Sequence, residues 1–140
     1  MGTVHAEIEL INGADFQMAR RHVIGEDEVR STRVLMLVDS GSYLMAINEN
    51  IQAYLDLPFQ YKQYATLADG RVLYCNVVGP IEVRFANRFA TCNAFVLPED
   101  SEPLLGAIPM EEMGVVVDMK KQELTVNKKP RLLPGFFIRG

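Results

Sequence analysis

Tryptophan is absent from this 140-residue chain, and cysteine and histidine occur only twice each, as Cys75 and Cys92 and as His5 and His22. No pair among them has the short spacing of a metal-binding motif, so a local zinc or iron–sulfur motif is excluded. The sequence leaves a disulfide between the cysteines open. The N-terminus has no charged-then-apolar leader pattern, so two buried free thiols and a cytoplasmic location are the expectation. A Cys–His nucleophile pair has no supporting local motif. Basic excess is missing as well. The chain has 14 Lys and Arg against 18 Asp and Glu, a net charge of −4. No basic stripe runs along it, which argues against nucleic acid as a partner. The apolar runs fall far short of the roughly 20 residues of a membrane span. Neither a metal nor another cofactor is expected.

What is present is the composition of a folded domain. Hydrophobic residues make up 49% and charged residues 23%, which is globular rather than disordered. No linker-like stretch divides the chain, so residues 1–140 are read as one domain.

Val4, Ala6, Ile8 and Leu10 alternate with His5, Glu7 and Glu9, the period of a half-buried strand. Asn12-Gly13 reads as the turn that ends it. Residues 16–24 read as a weak second strand, and Gly25-Glu26-Asp27-Glu28 as an acidic exposed loop. Residues 29–38 form the next strand, and a short one ends at Ile47. Asn48 is a good N-cap for a helix over 49–55 that Leu57-Pro58 stops. Residues 61–67 and 71–78 read as two strands joined at Asp69-Gly70, a hairpin signal. Gly79-Pro80 reads as a break. Strands follow at 81–85 and 89–97, then a polar loop bounded by Pro98 and Pro103. A short helix is expected from Gly106 to Met113, then strands at 115–118 and 123–126. Many short strands with close turn signals and two short helices describe an all-β barrel or sandwich. The tail over 127–140 mixes basic and apolar residues and reads as a dimer strand or core packing.

The stretch that organises this pattern is Val34-Leu35-Met36-Leu37-Val38-Asp39-Ser40-Gly41-Ser42. Five apolar residues in a row read as a strand buried on both faces. A carboxylate at its end is costly unless it is hydrogen-bonded or shares a proton. The plain alternative is a surface turn, since Asp, Ser and Gly all favour turns.

Three features together carry a resemblance: Val38-Asp39-Ser40-Gly41-Ser42, the hairpin around Ala68-Asp69-Gly70-Arg71, and Glu102-Pro103-Leu104-Leu105-Gly106 ahead of a short helix. In this order and rough spacing the chain resembles the retropepsin-like aspartic proteases, in their stand-alone, single-domain form, over about residues 29–126. The resemblance implies an all-β, closed or partly open barrel with one or two short helices. It implies Asp39, Ser40 and Gly41 as the catalytic loop, with Ser40 bonding across a dimer interface. Ser42 is placed near the substrate and near the outer carboxylate oxygen. Ala68, Asp69 and Gly70 form a substrate-covering flap, and Leu105 and Gly106 support the active site. Two positions depart from the family. The flap tip is Ala-Asp-Gly-Arg rather than glycine-rich, and a negative Asp69 turned into the cleft would alter side-chain preference. Ala107 stands where retroviral members often carry arginine.

Aspartic protease chemistry needs two close carboxylates that hold one proton between them. This chain has one Asp-Ser/Thr-Gly, and Asp69-Gly70 and Asp118-Met119 do not repeat it. The expectation is therefore an aspartic endopeptidase acting as a homodimer on a peptide or protein substrate. The alternatives are a catalytically inactive module of the same fold that binds peptide or dimerises, and an unrelated small barrel with Asp39 as a turn residue.

Overall fold

A computed structural model of the chain describes residues 2–67 and 69–127. The protein is mostly β, with three short helices among those residues. Strand β1 (Val4–Asn12) leads into helix α1 (Gly13–Arg20), a 3-10 turn at Glu26–Glu28 and strand β2 (Ser31–Val38). Then come β3 (Met45–Asn48), α2 (Glu49–Leu55), β4 (Phe59–Thr66), β5 (Val72–Phe85) and β6 (Arg88–Leu97). The chain finishes with β7 (Leu104–Leu105), α3 (Ala107–Met113), β8 (Val115–Asp118) and β9 (Glu123–Val126).

Strands β1, β2, β7, β3, β6 and β5 follow one another around a ring, which the antiparallel pairing of β1 with β5 closes. Strand β4 hangs on β5 as the outer arm of a hairpin. Inside the ring lies the main core, including Ile8, Leu10, Met36, Met45, Ile47, Ile81, Val83 and Leu105. Helix α3 and the β8–β9 pair add Met110, Met113, Val115 and Leu124 to it. The alternation read in β1 is seen directly: Val4, Ala6, Ile8 and Leu10 are buried, while His5 and Glu7 are exposed. No helix among the described residues is long and apolar enough to cross a membrane.

Five expectations need correction. Residues 16–24 are not a strand. Asn12 accepts a hydrogen bond from the Asp15 N–H and caps α1, so the Asn-Gly read as a turn is a helix start. Gly13 fits there because a Cβ would meet the Pro80 carbonyl oxygen at 2.8 Å. The described residues therefore hold three helices, not the one or two expected. Gly79-Pro80 does not break the chain. Strand β5 runs through it with a register shift between Val78 and Ile81 and a cis Gly79–Pro80 bond, because a bulge absorbs a proline that a regular ladder would reject. Finally, β2 is not buried on both faces. Met36 is fully buried but Leu35 is 63% exposed, since only the inner side of a ring faces the core. The tail beyond Asn127 lies outside the described residues.

The helices are anchored to the ring by polar contacts. Asp15 is buried in α1 and takes three hydrogen bonds from Arg30, through its backbone N–H (3.1 Å), Nε (2.8 Å) and Nη2 (3.0 Å). Arg30 reaches on to Asp56, the residue capping α2. Asn12 donates to the Leu55 carbonyl at 2.9 Å and so joins the start of α1 to the end of α2. The hydrogen bonds from Arg30 hold the Asp15 carboxyl below the usual carboxylate range, against the effect of burial. A lowered folded pKa stabilises the fold at every pH above the ordinary carboxylate value and loses that effect as pH falls through the lower folded value. Asp15→Asn should therefore cost about 2 kcal/mol at neutral pH. In urea melts across pH, the gap between variant and parent should narrow below about pH 4. A gap that stays constant into acid would show that the charge of Asp15 is not what matters.

Candidate active site

Asp39 follows the last residue of β2, and residues 39–44 carry the chain over to β3. Strand β7 sits between these two. It pairs in parallel with β2, Leu37 opposite Leu104 and Val38 opposite Leu105, and Ala46 of β3 lies antiparallel to Leu104. The loop is thus bridged from below by a segment distant in sequence. The Leu105 carbonyl accepts from the Asp39 N–H at 3.0 Å. Ala107 N–H donates to the Ser42 carbonyl at 2.6 Å, and Ile108 N–H to that of Tyr43 at 3.1 Å. Pro103 O accepts from Leu37 N–H at 3.0 Å on the approach. Every one of these is a main-chain contact, so the loop geometry depends on the backbone path more than on side-chain identity.

Gly106 is the point of closest approach. A Cβ there would collide with the Leu44 carbonyl oxygen and lie 2.7 Å from that of Ser42. Both are backbone atoms, which no rotamer change can move aside. Leu105, beside it, is fully buried.

Within the loop, Asp39 is a half-buried residue, and its Oδ1 accepts from the Gly41 N–H at 3.0 Å in a contact open to solvent. Ser42 N–H donates to the Asp39 carbonyl at 3.1 Å and closes the turn. Ser40 is exposed. Ser42 departs from expectation: its hydroxyl donates to the Leu44 carbonyl at 3.1 Å rather than to the Asp39 carboxylate. A hydroxyl two residues ahead of a carbonyl in a turn readily takes this local bond, so Gly41, not Ser42, contacts the acid.

A groove of about 290 Å³ opens beside the loop. Gly41, Ser42, Tyr43 and Leu44 form one side, and the β4–β5 hairpin the other, through residues 63–67. Ala46, Phe95, Leu97 and Leu104 complete an apolar lining. Asp39 adjoins this groove through Gly41 and does not itself line it. The lining residues from β3 and β6 were not picked out in the sequence, because their convergence depends on strand order that no local pattern encodes, whereas Leu104 of β7 stood in the Leu104-Leu105-Gly106 segment.

The hairpin tip is held by Leu67 N–H on the Arg71 carbonyl at 2.8 Å and Gly70 N–H on the Leu67 carbonyl at 3.0 Å. Gly70 has a left-handed φ of 86°. Asp69 does not turn into the groove. Its carboxylate accepts from Arg71 N–H at 3.0 Å and Nε at 2.7 Å, and these bonds, the backbone one foremost, hold its pKa below the ordinary value. Its charge is matched within the tip, so the altered side-chain preference considered for Asp69 has no basis in this arrangement. Neither Asp69 nor Gly70 lines the groove, and Ala68 lies outside the described residues.

Several apolar side chains stand open near the loop: Tyr43 is 76% exposed, and Leu44 and Ile108 are also exposed. Tyr64 and Tyr74 face each other across the hairpin, with ring centroids 4.7 Å apart. Cys75 is buried and Cys92 half-buried, and both are free. Burial, helped by Glu112, pushes the Cys92 thiol up to about 12, and burial alone raises Cys75. Both are therefore protonated and poor nucleophiles at neutral pH. No cluster of three or more His, Cys, Asp or Glu suited to a metal ion occurs among the described residues. Comparison with protein-family models and with curated proteins gives no match.

Gly106→Ala should destabilise the protein by about 3 kcal/mol, because the new methyl meets backbone carbonyls rather than side chains. Gly41→Ala should cost less, since its Cβ would sit 3.3 Å from Asp39 Oδ1, an atom that can give way. Thermal melts of the two variants check this order, and an unchanged melting point for Gly106→Ala would contradict it.

Proposed function

We propose that the chain is one half of a retropepsin-like aspartic endopeptidase. In this reading Asp39 and the same residue of a second copy form the catalytic pair across a two-fold axis. Two carboxylates that close share one proton, because both cannot be charged at once. The ionised one takes a proton from a water lying between them. The protonated one donates to the oxygen of the scissile carbonyl, and the water oxygen adds to the carbonyl carbon. Proton return to the nitrogen then releases the amine. Ser40 bonds to the partner loop, and Gly41 positions the carboxylate through its N–H. The β4–β5 hairpin covers an extended peptide and excludes water, and the peptide pairs through its backbone like an added strand.

The observation that carries this reading is the Asp39 loop itself. A lone carboxylate stands at the end of a core strand, on a loop locked by backbone bonds to Leu105, Ala107 and Ile108. An apolar groove and a hairpin lie beside it. Exposed Ser40, Tyr43, Leu44 and Ile108 offer the surface that a second loop would cover. A residue needed only for a turn would not call for such a lock, and a single carboxylate cannot perform the reaction alone.

Asp39→Asn should abolish cleavage of a mixed peptide library, by roughly a thousandfold or more, while circular dichroism and the oligomeric state stay as in the parent. Activity retained in purified Asp39→Asn would overturn the mechanism. Full activity from a protein that sediments as a monomer would overturn the dimer. No difference between parent and variant at any pH, with peptide still bound, would favour the inactive peptide-binding module instead.

A further inference from the structure

The last turn of α1 and the turn between β5 and β6 enclose a second depression, of about 410 Å³. Its residues play no part in the proposed chemistry. Arg20 and Arg84 both lie over the ring of Phe16, with Cζ atoms 5.8 and 5.2 Å from its centroid. Arg88 forms part of the wall and Phe89, 64% exposed, adds an open aromatic face. Among the described residues, Glu82 is the only acid lining the depression. Three guanidiniums against one carboxylate is an unusual balance for a chain of net charge −4.

Structure accounts for two of the arginines. Arg84 donates through Nε to buried Glu82 at 2.6 Å. Arg88 donates to the carbonyls of Met113 at 3.2 Å and Asn127 at 2.9 Å, tying the end of α3 to the end of β9. Arg20 has no carboxylate within ion-pair distance among the described residues. It sits exposed at the end of α1, against Phe16. A guanidinium stacked on an aromatic ring keeps its edge free, and that edge presents paired donors in the spacing of a carboxylate. Glu82 already matches the charge of Arg84, so Arg20 is the guanidinium of the depression whose charge is left for an incoming carboxylate.

We propose that this depression docks an acidic peptide segment, distinct from the groove beside Asp39. Carboxylates of the segment pair with Arg20 and with the remaining N–H groups of Arg84, and an apolar side chain packs on Phe89. The depression is larger than a single anion needs, and the exposed phenylalanine has no use for one. A nucleic acid is the less favoured ligand for a chain of net charge −4. The proposal does not depend on the protease reading.

The test uses the whole chain and a fluorescent ten-residue peptide of Asp and Glu with one central Phe. Its twin has Asn and Gln in place of the acids. Anisotropy titrations should show the acidic peptide binding about tenfold tighter or more than the twin, with affinity falling as salt rises. Arg20→Glu should weaken binding at least about tenfold and Arg20→Gln by a smaller factor. Phe89→Ala should weaken binding with no loss of salt dependence. Because Arg20 and Phe89 are exposed, these variants should keep the parent's circular dichroism. Equal binding of the two peptides, or indifference to Arg20→Glu and Arg20→Gln alike, overturns the proposal. Displacement by inorganic phosphate at the concentration that free acidic peptide requires marks a simple anion site and also overturns it. So does displacement by a single-stranded oligonucleotide at lower concentration than the peptide.

Discussion

The architecture of the candidate site depends on one close crossing. Gly106 passes beneath the carbonyls of Ser42 and Leu44 with no room for a side chain. Because it fits there, the N–H groups of Ala107 and Ile108 reach the carbonyls of Ser42 and Tyr43, and the Leu105 carbonyl reaches the Asp39 N–H. Those bonds set the path of residues 39–44, and the path sets where the carboxylate stands. Buried backbone groups must be paired, and here two segments more than 60 residues apart satisfy each other. Strand β7 has only two residues, but its position between β2 and β3 makes it the bridge across which the ring is continuous.

Polar side chains play a different part at the periphery. Asn12, Asp15 and Arg30 fasten α1, the start of β2 and the end of α2 into one corner. Arg88 fastens α3 to the end of β9. These contacts hold helices to a ring whose interior is almost wholly apolar. The candidate site uses main-chain bonds to hold its geometry, leaving its side chains available, whereas the outer corners use side chains to hold theirs. At the α1 corner Asp15 is buried and fully dependent on its partner, while the Arg30 side chain that pairs with it stays 43% exposed and keeps part of its hydration.

Much of this was legible in the residues. The period-two pattern of β1, the Asp-Gly hairpin, Asn48 as a helix cap and Gly106 ahead of α3 all rest on local chemistry, and the structure has each of them. The errors have physical causes too. Asn12-Gly13 serves equally as a turn or a helix start, and the choice is made by a distant partner, Pro80, against which Gly13 packs. The run from Val34 to Val38 looked doubly buried because apolar residues were taken as a sign of burial within one chain. Leu35 shows that an apolar side chain can instead remain open. Asp39 stood out once the hairpin and the Leu104-Leu105-Gly106 segment were read beside it, whereas the groove walls at Phe95 and Leu97 did not. Those residues meet through strand order, and strand order is set by the whole ring.

The closure of that ring also orders events during synthesis. Strand β1 leaves the ribosome shortly before β2 and finds it soon afterwards, but its other neighbour is the far end of β5, with Glu9 opposite Arg84. Until that part of β5 has been made, one edge of β1 stays open, and an open edge is a site for wrong pairing. The Asp39 loop waits longer still. It emerges well before Ala107 and Ile108, and the carbonyls of Ser42 and Tyr43 gain their partners only once those residues exist. The path of residues 39–44 is therefore fixed only after the chain as far as Ile108 has been made, so a chain that stops short of it carries Asp39 on a loop without its backbone partners.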